Sequence, residues 1–201
     1  MSPSLSEPAL ARPDASRQVP RSQAFVHPGP PSEPRIVEVV GKVAHDYRLV
    51  LPPGASIGAS LRAWLDTNRV DAGCGQVIAG GTRSLDYHVI VRADGGTKPY
   101  VYGPAIHHEG ETALIGAMLT LGRDSSGDAL VHCHAGFLAA DGSLHGGHLA
   151  LDSAIAGAAG MVVALSTFSG VALRVAPDAE THYSILNPFA VQQAEGSAWQ
   201  H

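Results

Sequence analysis

The stretch VHCHAGFLAADGSLHGGHLALD, residues 131–152, constrains this chain more than any other. Two strand-like runs flank an Asp-Gly turn, so it reads as a β-hairpin. It carries His132, His134, His145 and His148 out of 11 histidines in the chain. Side chains alternate faces along a strand. His132 and His134 therefore share a face, and Cys133 takes the other. If Ala140, Asp141 and Gly142 form a three-residue loop, Gly142 takes the left-handed position that glycine accepts at little cost. Ala139 then opposes Ser143, and His134 opposes His148 across the strands. In that register His132, His134 and His148 converge, while His145 opposes Phe137 and faces away. A two-residue Asp-Gly turn shifts the register by one and turns His148 over. A bulge at Gly146–Gly147 can turn it back. Spacing alone leaves these registers open.

Three imidazoles held together repel when protonated and leave donors unpaired when neutral. A divalent metal relieves both conditions. Three histidines without a fourth protein ligand form the donor set of catalytic zinc, which keeps one position for water or substrate. The hairpin predicts a metal at His132, His134 and His148, with zinc the first candidate and Cys133 not a ligand.

The rest of the chain frames this hairpin. Residues 1–34 hold eight of the 14 prolines. Such a segment buries too little surface to offset the entropy of ordering it, and reads as a flexible tail. Residues 191–201 read as a second loose tail, leaving one domain over 35–190. RIVEVVGKV and DYRLVLPPG read as two strands. Ile57, Leu61, Trp64 and Leu65 recur at helical spacing behind Ser56, a fitting N-cap, and define the best amphipathic helix. CGQVIAGGTRSLDYHVIVR reads as strand, glycine break, strand. KPYVYGPAIHHEG is strand-like and then loops. ETALIGAMLTLGRD fits either a short helix or a buried strand. AGMVVALSTFSGVALRVAPD reads as two strands about a Ser-Gly break, and THYSILNPF closes the domain. The expected class is α+β: a single compact domain with a mainly antiparallel sheet flanked by a few helices.

The hairpin, VHCHAGFLAADGSLHGGHL, resembles the signature of the plant-and-prokaryote conserved (PPC) domain, with its His-x-His strand, Asp-Gly turn and Gly-Gly-His-Leu segment. YRLVLPPGASIGASLRAWL resembles the family's strand, turn and first helix. AGCGQVIAGGTRSLDYHVI resembles its second strand and glycine turn. The likeness spans roughly residues 40–188. It implies an α+β fold, a homotrimer, and a metal site at His132, His134 and His148 near a subunit interface. Two positions depart from the pattern. Asp152 stands where the family usually has glycine, and Gly160 where glutamate is common. Asp152 is near His148 in sequence, which makes it a candidate to support or ligate the metal. Plant relatives carry an AT-hook with an Arg-Gly-Arg-Pro core, and nothing like it occurs in this sequence.

Charge and motifs narrow the function. Formal net charge is -5, and Lys42 and Lys98 are the only lysines, so DNA is not the expected partner. The amino terminus lacks an apolar signal core and no run is long enough for a membrane span, so a cytoplasmic protein is expected. Two cysteines do not make a disulfide framework. GPAIHHEGE places His107, His108 and Glu109 in a glycine-bounded loop, as candidates for proton transfer at the open metal position. Arg83, Tyr102 and His182 are further pocket candidates, and His88 reads as an ordinary strand residue. The leading expectation is a metal-dependent enzyme of hydrolase, lyase or isomerase type, acting on a small oxygen-rich molecule. The alternative is a non-enzymatic trimeric binding or regulatory protein whose metal is structural.

Overall fold

The structure, a computed structural model, describes residues 27–95 and 97–191. The expectation of loose tails falls largely on residues 1–26 and 192–201, which lie outside the described residues. Residues 27–35 lie against the far end of the domain. The Gly29 N–H donates to the Glu180 carbonyl at 2.8 Å, and Arg35 pairs with the Glu180 carboxylate at 2.5 Å.

The described elements run β1 (Lys42–Leu51), α1 (Ile57–Thr67), β2 (Gly73–His88), β3 (Ile90–Arg92), β4 (Tyr100–Tyr102), β5 (Ile106–Glu109), β6 (Thr112–Arg123), β7 (Ala129–Ala139), β8 (Leu144–Ser169), β9 (Val171–Pro177) and β10 (Ser184–Ala190). Eight strands form one sheet in the order β10-β9-β6-β7-β8-β2-β5, with β1 added on β8. The amino-terminal end of β2 also pairs with β6, Gly73 opposite Leu121, so β6, β7, β8 and β2 close into a small barrel-like core. β3 and β4 form a separate two-stranded ribbon. Apart from one parallel bridge between β6 and β9, the pairings are antiparallel.

The fold is more β-rich than the α+β expectation. Among the described residues α1 is the one α-helix, not one of a few. The ambiguous ETALIGAMLTLGRD is strand β6. Ala117, Leu119 and Leu121 are buried while Met118 is exposed, a two-residue period that only a strand produces. The ladder between β1 and β8 begins at Lys42, so the run before it contributes no strand. β8 joins the second half of the hairpin and the next expected strand into one span of 26 residues. Its register with β2 shifts repeatedly, beginning near Gly80 of β2, whose φ is 96°.

The helix matches its sequence. Ile57, Leu61 and Leu65 are buried, and Ser56 occupies the N-cap position, though its side chain makes no capping bond. A Cβ on Gly58 would lie 2.7 Å from the Leu151 carbonyl, so glycine lets the helix sit directly on β8. Leu61, Leu65, Leu85, Leu121, Phe137 and Cys133 fill the core between helix and barrel wall. Arg123 on β6 ties down the helix exit through Asp66, Asp71 and the Val70 carbonyl.

Candidate metal centre

The β7–β8 turn resolves the register that spacing left open. The Ala139 N–H donates to Ser143, the Gly142 N–H donates to Ala139, and Gly142 has φ 82°. This is the three-residue loop. His134 pairs with His148 and Phe137 with His145. Gly146 and Gly147 cause no register shift. Their small size serves close approach instead: a Cβ on Gly147 would lie 2.2 Å from the His88 carbonyl, and one on Gly146 2.7 Å from that of Ala135. The glycine pair thus lets β8 fit tightly between β7 and β2.

His132, His134 and His148 stand together on the outer face of the barrel, with Cys133 on the inner face. Their ligand nitrogens lie within 4.8 Å of one another. Ring centroids are 4.8 Å apart for His132–His134 and for His132–His148, and 5.4 Å for His134–His148. Burial, then the neighbouring His134, pushes the His132 pKa down. Burial followed by repulsion from His132, His134 and His88 pushes that of His148 down to about 4. Both rings are therefore neutral near pH 7, the form that coordinates a metal. Nδ1 of His148 is buried without a hydrogen-bond partner. An orphaned buried nitrogen among neutral imidazoles fits a divalent ion, zinc by donor type.

Two residues complete the surroundings. His88 is opposite His148 on β2, with its ring 6.2 Å away and Nδ1 2.9 Å from the Gly103 carbonyl oxygen. Tyr102 stacks on His148 at 4.7 Å and 23°. Beside them opens a cleft of about 530 Å³. Thr120, Leu130 and His132 form its floor, Tyr102 stands on the ribbon side, and Tyr183 and Ile185 on the β10 side.

The other expected residues fall elsewhere. His107 and His108 are on strand β5, not in a loop, because β5 pairs with the end of β2. His107 and Glu109 share the face of Asp86 and His88. His107 lies between Asp86, Nδ1 to Oδ1 2.7 Å, and Glu109, Nε2 to Oε2 3.3 Å. The hydrogen bond that His107 donates to the Asp86 carboxylate raises the His107 pKa above its usual value. Two strand spacings, about 10 Å, separate β5 from β8. His108 points the other way, toward Phe137 and His145. His145 is held inside by Tyr87 Oη at 3.2 Å, Ser143 Oγ at 2.7 Å and stacking on Phe137. Asp152 forms an ion pair with Arg62 of α1. Arg83 is exposed on β2, and His182 sits in the β9–β10 turn with its N–H bonded to Asp178. From sequence alone His88 is an ordinary strand residue. Only the β2–β8 register, set by a distant pairing, brings it to the triad.

A β-rich domain with three histidines converging on its outer face defines the class. The Plants and Prokaryotes Conserved (PCC) domain matches residues 39–169, and the chain belongs to that family. The fold is shared with solved structures at low identity. A plant- and prokaryote-conserved protein of Pyrococcus horikoshii is 15% identical, with 78% of this chain and 100% of that one covered at a TM-score of 0.62. A metal-containing protein of Archaeoglobus fulgidus is 19% identical, covering 76% and 99% at 0.63. A Ralstonia eutropha JMP134 protein named as a candidate DNA-binding protein is 14% identical, covering 70% and 90% at 0.57. No curated protein matches the chain. Among the described residues no helix is long and apolar enough to cross a membrane.

Proposed function

We propose that His132, His134 and His148 hold a divalent metal, zinc in the first instance, with one position open to a ligand. The protein then acts as a metal-dependent enzyme of hydrolase, lyase or isomerase type on a small oxygen-bearing molecule. The observation that carries this is the convergence of three histidines, one with an orphaned buried nitrogen, beside a cleft that His132 lines. The ion would supply Lewis acidity toward a carbonyl or bound water. His132 and His148, held neutral by burial, would coordinate without first losing a proton. Tyr102 would fix the ring plane of His148, as outer groups do around bound metals. His107, oriented by Asp86 and flanked by Glu109, would hold a proton on the same face of the sheet. A homotrimer belongs to the same proposal and rests on family resemblance; a cytoplasmic location belongs to it as the expectation from sequence.

Elemental analysis of tag-free protein tests the premise. One equivalent of metal, lost in the His132→Ala and His148→Ala variants, is expected. Absence of metal together with unchanged stability in chelator would sink it. Once a turnover assay exists, His107→Ala and Glu109→Ala are expected to lower the rate while metal content stays at one equivalent.

A second reading is a non-enzymatic protein whose metal stiffens the hairpin. Two similar structures, from Ralstonia eutropha and Bacteroides thetaiotaomicron, are named as candidate DNA-binding proteins. The net charge of -5 argues against DNA for this chain. Fluorescence anisotropy with duplex DNA at low salt separates the readings. Salt-sensitive binding would favour the second.

A further inference from the structure

We infer that the cleft beside the triad receives the uncharged, apolar or aromatic body of a small monoanion whose single oxygen head reaches the metal. The ligand class is thus an aryl or branched-alkyl carboxylate, not a polyhydroxylated or multiply charged molecule. This rests on the metal-centre reading and narrows its substrate.

Continuity comes first. His132 belongs both to the triad and to the cleft floor. Tyr102 lines the cleft and also stacks on His148. A molecule seated in the cleft therefore touches His132 directly and His148 through the Tyr102 ring stacked on it.

The lining supplies the second argument. It contains no Asp, Glu, Lys or Arg among the described residues. Ile90, Leu130, Val175, Ile185 and Leu186 give it an aliphatic surface, and tyrosine rings give it aromatic faces. A sugar or polyphosphate body would lose water there and find few partners, at a cost for each unpaired polar group. A flat apolar body gains from the same surface. Two cations stand close by without lining it: Lys98, with Nζ 5.1 Å from the centroid of the Tyr183 ring, and Arg92, opposite Tyr100 on the ribbon.

Charge supplies the third. A divalent ion on three neutral imidazoles has no carboxylate in its donor set, so its positive charge is not offset by the protein. One anionic oxygen at the open position offsets part of it. The volume of about 530 Å³ is in the range of small-molecule sites. Asp86, His107 and Glu109 share the triad's face but do not line the cleft.

The test uses the full chain loaded with cobalt(II), whose visible absorption reports on ligands at the ion. Phenylacetate and acetate present the same carboxylate on different bodies. Phenylacetate is expected to bind about tenfold more tightly or better, from the extra apolar surface buried. Ile185→Arg, which puts a charge into the cleft, is expected to abolish that preference. Equal affinity for the two acids in the unaltered protein would overturn the inference while leaving the metal centre standing. A preference that survives Ile185→Arg would place the body elsewhere and also overturn it. Failure to take up cobalt would remove the metal reading and the inference with it. The wild-type comparison decides the matter even if the variant does not fold.

Discussion

Tyr102 lays its ring on that of His148, with centroids 4.7 Å apart and planes 23° from parallel. The two come from different parts of the fold, the β4 ribbon and the longest strand of the barrel. Burial raises the Tyr102 pKa, so its phenol stays protonated and uncharged beside the imidazole. A ring pair of this kind contributes about 0.5–1.5 kcal/mol beyond area. Tyr102→Ala is expected to weaken zinc binding roughly three- to tenfold by freeing the His148 ring. Tyr102→Phe is expected to retain the wild-type value. Competition with a chromophoric chelator measures both.

Gly147 is a packing requirement and not a hinge. An added Cβ would sit 2.2 Å from the His88 carbonyl, a fixed backbone atom that cannot move aside cheaply. Gly147→Ala is expected to cost about 2 kcal/mol or more, as overpacking does. Gly136, one strand over, has its nearest neighbour at 3.8 Å, the His145 carbonyl. Gly136→Ala is expected to stay within about 1 kcal/mol. Paired thermal melts test this contrast, and equal losses would contradict it.

Two histidines should make opposite contributions to stability as pH changes. His107 has a folded pKa above 6.5, chiefly because of Asp86. Its contribution is fully present below 6.5 and fades as pH rises through the folded value. Asp86 is lowered below 3.8, chiefly by His107, so its share is present above 3.8 and is lost as pH falls through its folded value. His148 is lowered to about 4, so its neutral form is favoured on folding. The metal-free protein therefore loses stability at this residue as pH falls from 6.5 toward 4. Histidine NMR titrations of metal-free protein should show a midpoint above 6.5 for His107 and near 4 for His148. Asp86→Asn should bring the His107 midpoint down and leave that of His148 in place.

The cysteines offer a simple check on the barrel interior. Cys74 is exposed, whereas Cys133 is buried and its thiol is pushed up to about 12 by burial. Reactive thiolate at Cys133 is therefore negligible at pH 8. A colorimetric thiol reagent is expected to titrate one cysteine in the native protein and two in denaturant. Fast modification of both in the native state would mean that β7 is turned over, with its histidines inside.

How much of this was legible beforehand depended on distance along the chain. The β7–β8 hairpin was, because alternation and one glycine turn are local constraints. They place His132, His134 and His148 together and His145 on Phe137. The helix was legible too, from the spacing of Ile57, Leu61 and Leu65. His88 was not, because its partner His148 is set by a β2–β8 pairing between distant segments. His107 and His108 read as loop residues because glycines bracket a strand of only four residues, formed by pairing with β2. Asp152 is near His148 in sequence, but β8 bulges where the pairing jumps from Asp86–Ala150 to Ser84–Ile155. The displaced carboxylate meets Arg62 on the helix. Strand periodicity assigns faces only while the register holds.

Strand β8 pairs with β1, β2 and β7 over its 26 residues, with His148 near one end and Val163 in the core farther on. One unbroken backbone thus carries a ligand of the site and also the centre of the hydrophobic interior. The site has little room to melt by itself. Amide protons around His148 should exchange with solvent as slowly as those around Val163, and by the same opening event. An ion bound at the triad would then slow exchange along the whole strand, so that occupancy of the site becomes a measure of how long the entire domain stays closed.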